Sequence, residues 1–460
     1  MSRRSGSIFW SLILISIGLL FLLSNLRVLQ EPWAFIGKYW PLLIIFWGVS
    51  KLFAYFQSET NPAEAGRSLL RGGDIVLLLV ILLVGSAITK AVSHNWGFPP
   101  FRGIEIRDGD VDFNWNNRQT FNYSEEASQP LAAGEASVEI INAYGNVDVN
   151  VHDSQDIKVK LEKRVRADSE EKAKEVAGQL KLKIEKKGKG YSITTSRDAL
   201  EEEARRGLKT NLSIWVPKKM AVTLNNLYGD VSLLAISGNH QLTNNYGSMT
   251  VKNVEGNLQA ENKYGNVVVY GVTGDCNVAN KYAGIEVENV SGKVTLDGGY
   301  GSLVLRKVKG AVKLDHRYGN VECNDLENSL VVEGRYAQVK ATNVAGDVTV
   351  VTSFRGVELE NVQGALSVQG KHGDVEITSE KLPSKPIKVV AEYSGVSITM
   401  PKGSQFKFDG FSKYGKLESD FEEIKGADFG SDKRISGAQG KSGPQITVNT
   451  SFRDIRLNAS

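Results

Sequence analysis

The apolar residues of this chain change rhythm after Val92: before it they run continuously, and from Ser137 onward they alternate with polar ones. Residues 8–26, "IFWSLILISIGLLFLLSNL", hold no charge over roughly the 20 residues that cross a bilayer as helix. Residues 39–56, "YWPLLIIFWGVSKLFAYF", carry only Lys51, whose long side chain can snorkel from the segment's end, and Pro41 falls near a helix start. Residues 74–92 open on the capping residue Asp74 and close on Lys90. Trp10, Trp33, Trp40 and Trp47 lie near segment ends, as interfacial aromatics do. The pattern predicts three transmembrane α-helices at about 8–26, 39–56 and 74–92, within a membrane region 1–92. The run "LLSNLRVLQ" offers no small-residue cleavage site, which argues against a signal peptide.

The alternating part repeats. Tyr228, Tyr246, Tyr264, Tyr282, Tyr300, Tyr318, Tyr336, Phe354 and His372 are spaced by 18 without slippage, and Gly229, Gly247, Gly265, Gly301 and Gly319 follow their tyrosines directly. Three residues after each aromatic stands an apolar file, Val231 to Val375, and two further on a second, Leu233 to Ile377. Alternation with period two is a strand with one face inward. A second glycine file, beginning Gly238, Gly256, Gly274, Gly292 and Gly310, divides each unit into two similar halves. A fixed period of this kind signals a solenoid, whose units bury apolar surface only by stacking. The predicted fold is all-β, a parallel β-solenoid with 18-residue coils and one inserted helix, preceded by the membrane helices. Asn226, Asn244, Asn262 and Asn280, with Asn253, Asn289, Asn343 and Asn361, suit stacked turns whose amides bond from coil to coil.

Around the repeats the chain divides into a polar connector at 93–135, a set of N-terminal strands with a capping helix at 136–227, repeats at 228–420, and a Gly/Ser-rich flexible loop with closing strands at 421–460. Asp168 and Glu171 are placed like a capping box for the helix "DSEEKAKEVAGQL". After His372 the aromatic spacing loosens, to Tyr393 and Tyr414, and the last strands, "PQITVNTSFRDIRL", are expected to close the C-terminal edge.

Charge and cysteine content narrow the function. With 55 basic and 52 acidic residues the net charge is +3, without the basic stripe that nucleic acid requires, so no nucleic-acid partner is expected. Only Cys276 and Cys323 are present; they fall in different inward columns, too far apart for a disulfide. Arg3, Arg4, Lys51, Arg67 and Arg71 balance Arg27, Lys38, Lys90, Arg102 and Arg107 across the membrane, and the basic leader "MSRRSGS" places the N-terminus inside. The expected location is the plasma (inner) membrane, multi-pass, with the solenoid on the extracytoplasmic side.

The N-terminal stretch, with its "LLSNL" exit and "YWPLLII" re-entry, resembles the LiaI/LiaF-like transmembrane region of bacterial envelope proteins. That resemblance implies anchoring and, in some members, envelope stress signalling. From Ser137 onward the "NAYGNVDV" opening, the inserted helix, the "NLSIWVPKKMAVTLNNLYGDV" bridge and the Tyr-Gly files resemble the bacterial "putative adhesin" domain, a β-solenoid family. That likeness implies an interaction surface and names no receptor. Ala283 and Arg355 depart from the glycine pattern.

A catalytic reading rests on the outward file Glu322, Lys340, Glu358 and Glu376, with Glu360 beside it. Stacked Glu358 and Glu376 approach the separation of about 5 Å used by retaining glycosidases. The plainer reading is a solvated acidic face. His316 and His372 read as turn residues rather than metal ligands, and neither a metal nor a cofactor is expected. An exposed tyrosine ladder offers sugar-stacking surface, against mutual packing of the rings. The expected function is a non-catalytic, membrane-anchored envelope protein presenting a solenoid surface, with envelope proteins or surface glycans as partners. A surface adhesin or polysaccharide binder is the first alternative and a β-helix polysaccharide hydrolase the second.

Overall fold

A computed structural model describes residues 104–107, 110–113 and 119–460. The three predicted membrane helices lie outside these residues. Among the described residues no helix is long and apolar enough to cross a membrane. The chain divides after Asn117. In the first unit, Ile104–Arg107 and Asp110–Phe113 form an antiparallel ribbon.

The second unit, Arg118–Ser460, is the predicted parallel β-solenoid. Most coils contribute two strands, such as Leu258–Tyr264 and Val267–Val272, while Val294–Val308, Val312–Leu326 and Leu330–Val344 each run through both halves as one strand, and through these repeats each strand pairs in parallel with its equivalent 18 residues on. The apolar files dictate this. Val231, Met249, Val267, Ile285, Leu303, Val321, Val339, Val357 and Val375 are all at most 2% exposed, and the Leu233 to Ile377 file is buried beside them. Burying one such side chain is worth about 1.5–3 kcal/mol, so the continuous core, rather than any single contact, holds the rod.

Between the half-coils the chain turns through a left-handed residue, the position where Asn and Gly pay least. Asn253, Asn289, Asn343 and Asn361 take φ of 54–60°, as the sequence suggests, and so do Ala235, Lys307 and Asp325 at the same register. Ala235 and Lys307 are not turn formers by type, and there the stack imposes the conformation, whereas Asp325 tolerates it as Asn does.

The ends depart from the expected layout. Tyr144 and Tyr228 are neighbours in adjacent coils, although 84 residues separate equivalent positions there. The intervening segment folds outward as a cap. Leu208–Pro217 pairs with Val147–His152, then antiparallel with Asp156–Ala167, which pairs antiparallel with Gln119–Pro130. Part of the predicted polar connector is therefore a twelve-residue strand at the cap's edge. The helix Glu170–Gln179 lies on this cap, and its N-cap is Ser169, which accepts from the Lys172 amide, one residue beyond the predicted Asp168. A second, short helix spans Glu202–Arg206. Buried Lys163 donates to the Ala177 and Leu180 carbonyls at the helix end, at 2.9 and 2.6 Å, and to Glu125 at 2.6 Å.

At the C-terminus the last strands do not close the edge. Gln445–Ser451 inserts between Ile387–Glu392 and Phe406–Lys413, parallel to both, and Ile455–Ala459 does the same between Val396–Met400 and Leu417–Ser419. The predicted flexible loop is also a pair of strands, Lys425–Phe429 and Asp432–Gln439, which extend the sheet antiparallel beyond Phe406–Lys413. An antiparallel hairpin satisfies the outer hydrogen bonds of the last parallel coil, which a parallel strand end leaves open.

Candidate interaction surface

The predicted aromatic file forms a stacked ladder along the solenoid. Tyr228, Tyr246, Tyr264 and Tyr282 stack with ring centroids 4.6–4.7 Å apart and planes within 14°. Tyr300, Tyr318, Tyr336, Phe354, His372 and Tyr393 continue it at 4.8–5.2 Å. The ladder then follows space rather than sequence: Tyr393 stacks on Phe452 and Phe452 on Tyr414, each at 5.0 Å. Within this run the step from Tyr282 to Tyr300 opens, to 5.8 Å, and there Ala283 replaces the turn glycine; at the N-terminal end Tyr144 meets Tyr228 tilted by 49° at 5.7 Å. Ala337 and Arg355 also stand in that glycine position without opening the stack, and at the latter Phe354 takes the left-handed conformation, φ 68°.

Each ring is about two-fifths exposed or more. The faces, however, are turned toward one another along the stack. What solvent meets is a row of ring edges and phenolic hydroxyls.

Behind the ladder runs a buried polar file that fixes its turns. Asn244 donates to the Gly229 carbonyl, Asn262 to that of Gly247 and Asn280 to that of Gly265, at 3.0–3.1 Å. Asn226 also donates to Asn244 Oδ1 at 3.1 Å, the coil-to-coil amide bond expected from the sequence. The same register later holds His316, with its two ring nitrogens 3.0 and 3.1 Å from the carbonyls of Gly298 and Gly301, and Thr352, donating to Ala337 at 2.9 Å. His316, like Asn226, Asn244, Asn262 and Asn280 whose register it shares, lies within a strand rather than at the predicted turn, and is 1% exposed. Its ring fills the space that a side chain on Gly298 would need. The signal was present: His316 lies at the asparagine spacing. Burial lowers the His316 pKa, against the pull of its carbonyl partners. His372 is a ladder member in the left-handed conformation, consistent with its predicted turn position.

Of the glycines beside the ladder, Gly247 shows the constraint best. Its φ is +124°, and a Cβ there would run into the Gly229 carbonyl of the previous coil.

The candidate acid-base file is built differently from a hydrolase site. Cα register places Glu358 beside Glu376, but Lys340 reaches Glu358 at 2.6 Å and Glu360 at 3.7 Å. Glu358, first, holds the Lys340 ammonium above the usual lysine range. Glu322 accepts from Asn324 at 2.8 Å and lies 3.8 Å from Arg306. These carboxylates are distributed among cations on an open face. Cys276 and Cys323 are buried thiols in separate columns, both pushed up to about 12 by burial. Among the described residues no group of three or more His, Cys, Asp or Glu could hold a metal ion. One feature went unseen in the sequence, an open surface groove of about 600 Å³ on the cap, lined by Glu126, His152, Lys158, Lys160 and Trp215. His152 is already engaged there, with the Asp156 carbonyl at 2.7 Å.

Two overlapping matches to the Toastrack DUF4097 model, at residues 137–356 and 280–458, cover the cap from Ser137 onward, the coils and the inserted C-terminal strands. The chain belongs to the Toastrack DUF4097 family. Residues 8–52 match the LiaI-LiaF-like transmembrane region, so this Toastrack rod shares its chain with a membrane segment. Solved structures similar to it include a "putative cell adhesion protein" from Clostridium sporogenes ATCC 15579, 13% identical, covering 74% of this chain and 100% of that one at a TM-score of 0.19. Another is a "putative adhesin" from Bacteroides fragilis NCTC 9343, 8% identical, covering 73% and 97% at 0.20. A third is a "putative lipid binding protein" from Parabacteroides distasonis ATCC 8503, 8% identical, covering 73% and 96% at 0.23. No curated protein matches the chain.

Proposed function

We propose that this protein is a non-catalytic envelope protein, held in the plasma membrane by several N-terminal helices, whose extracytoplasmic Toastrack rod binds other envelope proteins in stress sensing or regulation. The LiaI-LiaF-like match supports the anchoring.

The observation that carries the binding role is the division of labour within each coil. Inward and turn positions repeat, whereas the outward file Ser232, Thr250, Val268, Glu286, Val304, Glu322, Lys340, Glu358 and Glu376 changes chemistry from coil to coil. A scaffold that only stacks needs no such variety; one that presents an extended, specific surface does. The alternatives lose their main supports. Sugar stacking needs a ring face, and the ladder's faces are occupied by neighbouring rings. A retaining hydrolase needs a close pair of carboxyls free to exchange a proton, and Lys340 occupies that position.

The test is photo-crosslinking in living cells from the full-length protein, with a photoreactive residue at Val304 or Thr250. Discrete adducts with envelope proteins are expected. Absence of adducts from both positions, together with polysaccharide turnover that Glu358→Gln abolishes, would replace this reading by the hydrolase.

A further inference from the structure

The outward positions beside the aromatic ladder change character along the rod. Three residues before the ladder aromatic, the middle coils carry Glu261, Asp297, Asp315 and Glu333. Toward the C-terminal end the same file loses its carboxylates and carries Val351, Gln369, Val390, Asn449 and Phe411 in stacking order. There the ladder also gives up hydroxyls. Phe354 is 50% exposed and Phe452 49%, with Tyr414 at 57%, Val351 at 40% and Phe411 at 37%.

Cations frame these exposed apolar side chains. Arg355 and Arg453 directly follow the two phenylalanines, and Lys413 precedes Tyr414 with its ammonium 5.5 Å from the ring centroid. All three are exposed. Of the nearby acids, Glu392 pairs with Lys371 at 2.9 Å, Asp454 accepts from the Lys416 amide at 2.9 Å and Asp374 from the Gly395 amide at 2.8 Å, while Asp432, opposite Lys413 in the antiparallel register, accepts from the Ser431 hydroxyl at 3.2 Å.

We propose that this end of the ladder docks on an anionic lipid bilayer, with the aromatic edges at headgroup depth and Arg355, Arg453 and Lys413 on the phosphates. The proposal deepens the binding role above by naming one ligand class, and it rests on the membrane anchoring argued there. Exposed aromatics beside basic residues are the combination that interfacial binding uses. An anionic polymer would satisfy the cations but leave Phe354, Phe452 and Phe411 in water. A second copy packed about a twofold axis would set the three cations against their own equivalents. An anchor in the same chain keeps bilayer at high effective concentration.

The experiment uses the full-length protein in vesicles, labelled with bimane at Ser353→Cys, next to Phe354, and read by quenching from a lipid-borne nitroxide. Cys276 and Cys323 are buried with raised pKa and stay unlabelled at neutral pH. Quenching is expected in mixed phosphatidylcholine–phosphatidylglycerol vesicles and not in phosphatidylcholine alone, with about a fivefold preference lost per cation removed. Salt and the triple variant R355E/K413E/R453E should abolish it, while a label at Asn245→Cys, beside Tyr246, should remain unquenched. Equal quenching in both vesicle types, or quenching unchanged in the triple variant, overturns the proposal. So does a label insensitive to lipid but shielded by dextran sulfate, or self-quenched by a second copy. Those negative outcomes leave the protein adducts from Val304 and Thr250 unaffected, so the two readings fail separately.

Discussion

At the scale of single residues, the fold is specified by what each position must avoid. Val321 is 1% exposed between Leu303 and Val339 in its file, so Val321→Asp introduces an unpaired charge into the core. We expect a loss of several kcal/mol, of the order of 3–5, read as a fall in denaturant midpoint. Gly247→Ala should cost on the order of 1–3 kcal/mol although it adds only a methyl, because a left-handed φ and the Gly229 carbonyl both oppose it; the adjacent Ser248→Ala, measured in the same way, should be near neutral. His240 makes the rod sensitive to acid. It is 3% exposed, its Nε2 has no hydrogen-bond partner, and burial lowers its pKa from 6.5 to about 4. The unfolded chain therefore takes up this proton first as pH falls. The contribution is whole above about pH 6.5 and is lost progressively down to about pH 4, some 3 kcal/mol in total. His240→Leu, matching Leu258 in the same file, should flatten stability across that window, leaving a residual slope from His316. A variant with the wild-type slope would show that another group carries it.

At the scale of elements, what could be read from the sequence depended on whether the partner strand is local. Where equivalent positions lie 18 apart, period, inward files, turns and ladder are all visible, because each coil sees a near-copy of itself on both sides. The paired neighbours Glu286 and Val304 follow directly from that spacing. At the ends the partner is distant. Gln119–Pro130 looks like polar linker because every second residue is only partly covered, and its strand character comes from Asp156–Ala167. The interposed Gln445–Ser451 strand has the same alternation as an edge strand, so sequence alone could not fix its place. This makes a test. Outward cysteines at Val390 and Asn449, direct neighbours, should form a disulfide readily, whereas Val390 with Phe411, separated by the inserted strand, should not. The reverse result would return the last strands to the edge. His316 was misread for a different reason: residue type suggested a turn, while its register marked it as a substitute asparagine.

At the scale of the whole molecule, the ladder is the predicted site residues brought together, yet its chemistry is not what an exposed tyrosine row suggests. Closed ring faces and paired carboxylates turn the reading from sugar and catalysis toward a variable surface, and the membrane segment in the same chain gives that surface a place to act. The in-register property of the solenoid supplies the most direct measurement. Removing residues 247–354, a whole number of coils, joins Tyr246 to Arg355 in register and keeps both caps and the membrane segment. An envelope-stress reporter should then respond abnormally in cells where the shortened protein is still inserted in the membrane at normal abundance. A response identical to wild type from that folded, shortened rod would contradict a role for the surface of these coils.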